Sequence, residues 1–129
     1  QKDIRLRGHA IEVRINAEDP RRNFAPCPGK VTHYLPPGGP GVRVDSHLYS
    51  GYVIPPYYDS MLGKIIVHGA NREQAIARSK NALRELQVEG VSTSRDFAMK
   101  LLALPQFISG DYHSGTVEEL LPELLASLN

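Results

Sequence analysis

The segment KIIVHGANREQAIARSKNAL, residues 64–83, changes its hydrophobic period part-way along, and that change decides the fold class. Ile65–His68 is a β-branched run between two glycines, which predicts a strand. Beyond the second glycine the apolar period changes from two to about 3.6. Asn71 suits an N-cap, and Gln74 follows three residues later, as in a capping box. An amphipathic helix is predicted, with Gly90 just past its end, and its buried stripe comprises Ala75, Ile76, Ser79, Ala82, Leu83 and Leu86.

Upstream of that segment, the clearest pattern is the alternation in His9–Asn16. Its apolar residues Ile11, Val13 and Ile15 alternate with polar ones, which predicts a strand with one buried face. The sequence Ala-Glu-Asp-Pro at 17–20 ends this strand. Residues 20–29 contain three prolines, and we therefore expect an irregular loop there.

Two more strands are predicted around a stiff turn. The first spans Lys30–Leu35, and its members on one face are Val31, His33 and Leu35. The turn PPGGPG, residues 36–41, follows and leads into a short strand at Val42–Val44. Arg43 lies in this strand, on the opposite side from the two valines.

The C-terminal third of the chain predicts two more helices. One begins near Thr93-x-x-Asp96 and stops at Pro105, and it buries Phe97, Leu101 and Leu104. Thr116-x-x-Glu119 predicts the cap of the other, which is kinked at Pro122 or begins there and buries Leu120, Leu121, Leu124, Leu125 and Leu128. Strands first and helices after predict an α+β fold. We expect a single domain over residues 1–129, with a small antiparallel sheet from the N-terminal half packed against C-terminal helices.

Composition excludes several classes of site and partner. Fifteen basic residues against 14 acidic ones give no electrostatic reason to expect nucleic acid or an anionic membrane. Cys27 is the single cysteine, so we expect no internal disulfide, no zinc cluster and a reducing compartment. The five histidines lack short metal-ligand spacing, and no metal site is expected. No apolar run approaches the ~20 residues of a membrane span, and no signal-peptide pattern is present.

Arg43 is the residue whose position suggests chemistry. It is a long cation on a short strand, directly after the stiff turn, and arginine offers five donors in a rigid fork. A surface salt bridge to Asp45 or Asp59 is the simpler interpretation, and residue spacing alone favours it. A ligand-binding role is the alternative, and composition and pattern do not decide between the two.

Long stretches of the chain resemble a known family. They are GHAIEVRINAEDP (8–20) and PGGPGVRVDSHLYSGYVIPPYYDSMLGKIIVHGANREQAIARSKNAL (37–83), together with the helices that follow. They closely resemble the C-terminal domain of biotin carboxylase, the ATP-dependent component of acetyl-CoA, propionyl-CoA and pyruvate carboxylases. The resemblance is weakest at 21–28 and in the last fifteen or so residues.

The resemblance implies a ligase reaction and a role for Arg43. In this family ATP phosphorylates bicarbonate to carboxyphosphate, which yields carbon dioxide beside biotin, and a ureido nitrogen of biotin is carboxylated. The arginine of the family's GVR-[DE]SH motif, which matches Arg43, faces the ureido oxygen. This arginine is implied to be both catalytic and biotin-binding. The resemblance also implies supporting residues around it, namely Asp45, His47, Tyr57, Tyr58, Asp59 and Lys64.

The resemblance further implies what surrounds this domain. ATP and magnesium are expected to bind mainly to an ATP-grasp region that precedes it, so the chain alone should be inactive. Because the chain starts at Gln1 and not at Met, we expect it to be a piece of a longer protein. Biotin is expected as a substrate on a biotin carboxyl carrier protein, with a carboxyltransferase as a further partner and a homodimer as the assembly. The expected compartment is the cytoplasm, or the mitochondrial matrix in a eukaryote.

Three functional hypotheses remain open on sequence grounds. The first is the biotin carboxylase of an acetyl-CoA carboxylase, which serves fatty acid biosynthesis. The second is the same domain of a pyruvate carboxylase, which the sequence separates poorly from the first. The third, from another class, is a non-catalytic dimerisation or interaction domain. In the first two hypotheses the GYVIPPYYDSMLGK segment (51–64) acts as an elbow that supports Arg43 without reacting.

Overall fold

A computed structural model describes residues 1–128 of the chain. Its elements follow the predicted order of strands first and helices after, except that one short strand, Gln87–Glu89, lies between the first two α-helices. The strands are β1 (His9–Asn16), β2 (Glu18–Asp19), β3 (Ala25–Pro26), β4 (Gly29–Lys30), β5 (His33–Leu35), β6 (Val42–Ser46), β7 (Val53–Ile54), β8 (Met61–Gly69) and β9 (Gln87–Glu89). The helices are α1 (Arg72–Glu85), α2 (Arg95–Leu101), α3 (Pro105–Ser109) and α4 (Thr116–Ala126), with a 3₁₀ turn at Pro20–Arg22. The predicted α+β class is confirmed.

The centre of the fold is a three-stranded antiparallel sheet in the order β1-β8-β6. Val13 of β1 and Val44 of β6 both lie opposite Ile65 of β8, so one row of apolar residues crosses the sheet. Val13, Ile65 and Val67 are at most 9% exposed. Because successive residues of a strand point to opposite faces, the other face carries the charged residues. We call that second surface the open face, and it presents Glu12, Arg14, Arg43, Asp45, Lys64 and Ile66.

Helix α1 covers the buried face of the sheet, and its predicted N-cap and buried stripe are confirmed. The side chain of Asn71 accepts a hydrogen bond from the amide of Gln74 (2.9 Å), and Gln74 Oε1 accepts one from the amide of Ala70 (2.7 Å). The whole predicted stripe is buried. Its one polar member, Ser79, donates to the carbonyl of Ala75 at 2.9 Å, so no buried hydroxyl is left unpaired there.

Gly90 does not end this helix, contrary to the prediction. The helix ends at Glu85 with Leu86 as its C-cap, and β9 follows at once. Gly90 lies beyond β9 with φ of 95°, and a Cβ there would be 2.2 Å from the carbonyl oxygen of Lys30. The glycine is therefore required by its close approach to the end of β4 and not by the helix terminus.

The predicted strand at Lys30–Leu35 is divided between two partners. Its first part pairs with β7 as β4, and its last part pairs with β9 as β5. Val31 is fully buried as predicted, but Leu35 is 48% exposed and Tyr34 packs against the core in its place. The alternation of buried and exposed side chains is interrupted where the chain changes its pairing partner from β7 to β9.

The strand that contains Arg43, β6, and its neighbour β8 are both longer than predicted. The strand β6 continues to Ser46, and β8 begins at Met61, so Gly63 lies inside a strand and not at its boundary. A Cβ on Gly63 would be 2.8 Å from the side chain of Ser46 and 2.9 Å from the carbonyl oxygen of Asp45. Glycine at this position allows β6 and β8 to pair closely up to the end of the sheet.

The C-terminal helices match the prediction in part. Helix α2 buries Phe97, while Leu102 just beyond it is buried where Leu101 was expected. Pro105 opens an additional short helix, α3, because proline is well placed in a first helical turn. Helix α4 begins at Thr116 and runs through Pro122, and only Leu124 of its five predicted leucines is fully buried. Within residues 1–128, no helix has the length and apolarity that a membrane span requires.

Candidate functional site

The turn at 36–41 fixes the start of β6 and thereby the position of Arg43. The carbonyl of Gly39 accepts from the amide of Val42 (3.2 Å), and the carbonyl of Gly41 accepts from the amide of His68 (2.8 Å). Gly41 has φ of 71°, and a Cβ there would be 2.5 Å from the carbonyl oxygen of His68. The turn is therefore held against β8, and Arg43 follows two residues after this contact.

Arg43 forms a two-pronged ion pair with Asp45 on the open face. Its Nε lies 2.9 Å from Oδ1 and its Nη2 lies 2.8 Å from Oδ2. The side chains of Arg43 and Asp45 are 73% and 42% exposed. The salt bridge that residue spacing favours is therefore present, and its partner is Asp45 and not Asp59. Among residues 1–128, no hydrogen-bond partner contacts Nη1, so one edge of the guanidinium faces solvent.

The ion pair shifts the pKa of both members. Hydrogen bonding from Arg43 holds the pKa of the Asp45 carboxyl below its usual value of 3.8, and the charges of Arg43 and Lys64 act in the same direction. The hydrogen bond and charge of Asp45 raise the pKa of Arg43 above its usual value. Both groups are therefore ionised at any working pH. Asp45 binds the Nε–Nη2 edge of the guanidinium and leaves its outer edge accessible.

Lys64 lies in the row of residues that contains Asp45. Its Cα is opposite Asp45 on one side and Arg14 on the other. Its Nζ lies 3.6 Å from Oε1 of Glu12, a partly exposed ion pair. The open face thus carries three cations, Arg14, Arg43 and Lys64, against the two carboxylates of Glu12 and Asp45.

The predicted elbow is held in place by backbone contacts at its end. Asp59 Oδ1 accepts from the amide of Met61 at 2.7 Å, where β8 starts. The carbonyl of Ser60 accepts from the amide of Ala17 (2.7 Å), and the Ser60 hydroxyl donates to Glu18 Oε1 at 2.5 Å. Asp59 was expected to hold a cation, but no ion pair involves it among the described residues. Its contact is with the backbone of the elbow itself.

Tyr57 and Tyr58, two of the predicted supporting residues, are both exposed. Tyr57 is 86% exposed and Tyr58 is 81% exposed. Tyr58, however, borders a groove of about 250 Å³, whereas Tyr57 does not. We call this the elbow groove. Its lining residues are His47, Tyr52, Ile54, Pro55, Tyr58, Asp59, Met61 and Leu62.

The structure gathers part of the predicted site into two neighbouring places. Arg43, Asp45 and Lys64 lie on the open face, and His47, Tyr58 and Asp59 line the elbow groove. Sequence reasoning missed Tyr52 and Met61. The ring of Tyr52 lies 5.1 Å from that of His47, and Met61 Sδ accepts from Arg14 Nη2 at 3.3 Å. Only the repeated aromatics of the 47–58 stretch gave a signal for such a cluster, and that signal does not identify the partners.

Comparison with known proteins identifies the family. The model of the biotin carboxylase C-terminal domain matches residues 12–119. A biotin carboxylase from Nostoc sp. is 53% identical over 120 residues, which are 93% of this chain and 27% of that protein. One of the pyruvate carboxylase subunits from Methanothermobacter thermautotrophicus is also 53% identical, over 119 residues that cover 92% of this chain and 24% of that protein.

Solved structures agree with the sequence matches. The biotin carboxylase domain of the Hydrogenobacter thermophilus 2-oxoglutarate carboxylase superposes with a TM-score of 0.93 at 39% identity. The match covers 97% of this chain and 27% of that one, which is a dimer in complex with MgADP, ADP and bicarbonate. The chain thus spans about a quarter of the length of its relatives. Because the family match covers most of the sequence and the fold agrees, this chain belongs to the biotin carboxylase C-terminal domain family.

Proposed function

We propose that this chain contributes Arg43 to the biotin site of an ATP-dependent biotin carboxylase. The observation that carries the proposal is the guanidinium of Arg43, which Asp45 holds along one edge while the other edge is accessible. Such a group is a rigid, permanent cation that presents two parallel N–H donors to an incoming oxygen. The domain would act as one wall of an active site that is completed by the preceding part of the protein.

The chemistry explains why a fixed cation is needed. ATP and bicarbonate give carboxyphosphate and ADP, and carboxyphosphate breaks down beside biotin into carbon dioxide and phosphate. The phosphate would take the N–H proton of the ureido group, which places negative charge on the ureido oxygen, and the nitrogen then bonds to the carbon of carbon dioxide. Arg43 would stabilise that oxygen in the transition state, where the charge is greatest. Mg-ATP would bind to the preceding region.

Asp45 has a positioning role in this proposal. A free arginine side chain loses considerable rotamer entropy when it is fixed in one conformation. Its partner on the same strand already restricts Arg43, so less of that cost remains for the reaction. Glu12 pairs with Lys64, so the charge of that lysine is partly offset, while the outer edge of Arg43 is left to attract an oxyanion.

The whole protein's substrate and partners belong to the same proposal. The carboxyl group would be passed, on the biotin of a carrier protein, to a carboxyltransferase. Acetyl-CoA and pyruvate are both candidate acceptors, because a biotin carboxylase and a pyruvate carboxylase subunit reach the same 53% identity with this chain. A cytoplasmic homodimer is the assembly that we propose, supported by the dimeric Hydrogenobacter relative.

The direct test uses the full-length protein. It should fix labelled bicarbonate into free biotin with consumption of Mg-ATP, whereas the 129-residue chain should not. Calorimetry of the 129-residue chain with Mg-ATP should show no binding, because the residues that bind the nucleotide are expected in the preceding region of the full-length protein. A full-length protein without bicarbonate-dependent ATP cleavage would favour the non-catalytic interaction domain, and micromolar nucleotide binding by the short chain would contradict the proposed division of roles.

A further inference from the structure

Arg14 and Lys64 are two cations that lie directly opposite each other on the open face. The amide of His68 donates to the carbonyl of Gly41, so by alternation along β8 the backbone groups of Lys64 also point to β6 and not to β1. Arg14 and Lys64 therefore form a non-hydrogen-bonded pair, in which the Cα atoms are about 4.5 Å apart and the side chains are closest. Because like charges in this position destabilise a sheet, the fold carries a local repulsion at this pair.

Lys64 has carboxylate partners within the domain, whereas Arg14 has none among the described residues. Nζ of Lys64 lies 3.6 Å from Oε1 of Glu12, and Asp45 is opposite Lys64 on its other side. Within residues 1–128, Arg14 forms no ion pair, and its side-chain hydrogen bond runs from Nη2 to Met61 Sδ, a weak acceptor. Nε and Nη1 of this exposed guanidinium are therefore left for an acceptor outside that part of the chain.

We propose that the open face is an interface with the preceding part of the full-length protein, and that a carboxylate of that part binds Arg14. A carboxylate matches the guanidinium in charge and accepts two parallel N–H bonds from it. The inference rests on the proposed function for one point, namely that the preceding part completes the site around Arg43 and so approaches this same face. Arg14 lies two strands from Arg43, about 10 Å across the sheet, so the contact leaves the outer edge of Arg43 accessible.

Ile66 gives the open face an apolar centre. It lies opposite Glu12 in β1 and opposite Arg43 in β6. Its side chain is half-buried and is not part of the apolar core on the other side of the sheet. An apolar centre surrounded by charged residues is the usual composition of a protein interface. The open face therefore offers a docked segment an apolar contact as well as the ion pair at Arg14.

The charges of the open face disfavour a second copy of this chain as the partner. Its three cations outnumber its two carboxylates, so two such faces placed against each other would add like charge to like charge. The chain also spans about a quarter of the length of its relatives, so a full-length protein of that size has ample chain to cover this face. A carboxylate-bearing segment of the same protein is therefore the occupant that charge and length support.

The test compares Arg14→Gln in the isolated 129-residue chain and in the full-length protein, by hydrogen exchange of the β1 and β8 amides. In the isolated chain the change removes the repulsion from Lys64, so exchange should slow by about twofold. In the full-length protein the change also removes a charged hydrogen bond to the partner, so exchange should become on the order of tenfold faster. Arg84→Gln is the matched control, because Arg84 is also exposed and its partner Asn81 lies in its own helix, and both rates should stay near the parent values.

Opposite signs in the two proteins support the interface, because a purely local role of Arg14 gives the same sign in both. Changes of the same sign, or no change in either protein, overturn the inference. It also fails if the isolated chain sediments as a dimer that Arg14→Gln dissociates, since the occupant is then a second copy. It fails likewise if inorganic phosphate slows exchange in the isolated chain but not in its Arg14→Gln variant, since the site then binds a free oxyanion.

The proposed function is judged separately, by bicarbonate-dependent ATP cleavage. A full-length protein that lacks this activity but shows the opposite signs retains the interface and contradicts the proposed function. A protein that has the activity but shows equal signs retains the function and contradicts the interface.

Discussion

Two arginines in two regions of this domain use the same side chain in opposite ways. Arg72, the first residue of α1, donates to the backbone carbonyls of Phe107 and Ile108. Its guanidinium lies 4.8 Å from the centre of the Phe107 ring and 5.8 Å from that of Tyr112. Its Nη1 is also 3.2 Å from Nε2 of His9 in β1. Arg72 thus joins β1, α1 and α3.

Arg43 joins nothing distant. Its hydrogen-bond partner among the described residues is Asp45, two positions away on the same strand. The comparison teaches that an arginine which holds a fold is bound by carbonyls and rings from other elements. An arginine that is available to a ligand keeps one local partner and an exposed edge. Loss of Arg43 should therefore affect the reaction, and loss of Arg72 should affect stability.

The largest effect should follow Arg43→Ala in the full-length protein. We expect biotin carboxylation to fall on the order of 10²- to 10³-fold, as when one oxyanion donor is removed. Bicarbonate-dependent ATP cleavage should decline less, because formation of carboxyphosphate does not require biotin. The two rates are measured side by side with free biotin as the acceptor, together with the melting temperature, which should stay constant.

Arg43→Lys sharpens the same comparison. Lysine restores the charge but not the planar fork, so the rate should recover only in part. If Arg43→Ala carboxylates biotin near the parent rate, the ion pair with Asp45 is no more than a surface salt bridge and the proposed site is wrong.

The next largest effect should follow Arg72→Ala, in stability. Loss of hydrogen bonds from a charged donor and of stacking on two rings should lower the free energy of unfolding by about 2–3 kcal/mol. Urea unfolding of the 129-residue chain measures the change. Arg84→Ala is the control, since Arg84 is exposed and its donation to the side chain of Asn81 is its only side-chain hydrogen bond within residues 1–128, and its effect should be within about 0.5 kcal/mol. Equal effects of the two changes would refute the contrast between the two regions.

The same two arginines show how far the sequence predicts this structure. Arg43 stands out in the sequence because a stiff turn precedes it, and the family resemblance assigns its role. Nothing in the sequence marks Arg72, because its partners are backbone carbonyls and rings 35 or more residues away. Contacts of that kind arise from packing and leave no periodic trace.

The secondary structure likewise contains elements that the sequence predicts and elements that it does not. Helix α1 and the strand β1 are predicted correctly, since each has several turns or alternations and α1 has a local cap. The strands β7 and β9 have two and three residues, too few for any period, and they exist because neighbouring strands pair with them. The elbow groove includes Ile54 of β7, and of its lining residues only His47, Tyr58 and Asp59 were predicted.

A smaller effect should separate two changes at Asp59. Asp59→Asn retains an oxygen that can accept from the amide of Met61, so the stability should change by less than about 0.5 kcal/mol. Asp59→Ala removes the acceptor and should cost about 1 kcal/mol. Urea unfolding of both variants measures the difference. An Asn variant as unstable as the Ala variant would mean that the charge of Asp59 matters, and the bond to the backbone would not be its main role.

The smallest effect concerns the pH dependence of the ion pair itself. The pKa of Asp45 is lowered in the folded chain, chiefly by the hydrogen bond from Arg43. A lowered pKa stabilises the folded state above the unfolded pKa, and this contribution disappears as the pH falls through the folded value. The loss should therefore occur below pH 3.8, the usual value for aspartate, and should be small because both groups are exposed. Carboxyl NMR shifts of Asp45 measure the titration, and Arg43→Ala should move its midpoint up towards the usual value. If the midpoint stays the same in the variant, the carboxylate does not hold the guanidinium in solution, and the pre-positioned cation on which the contrast with Arg72 depends is absent.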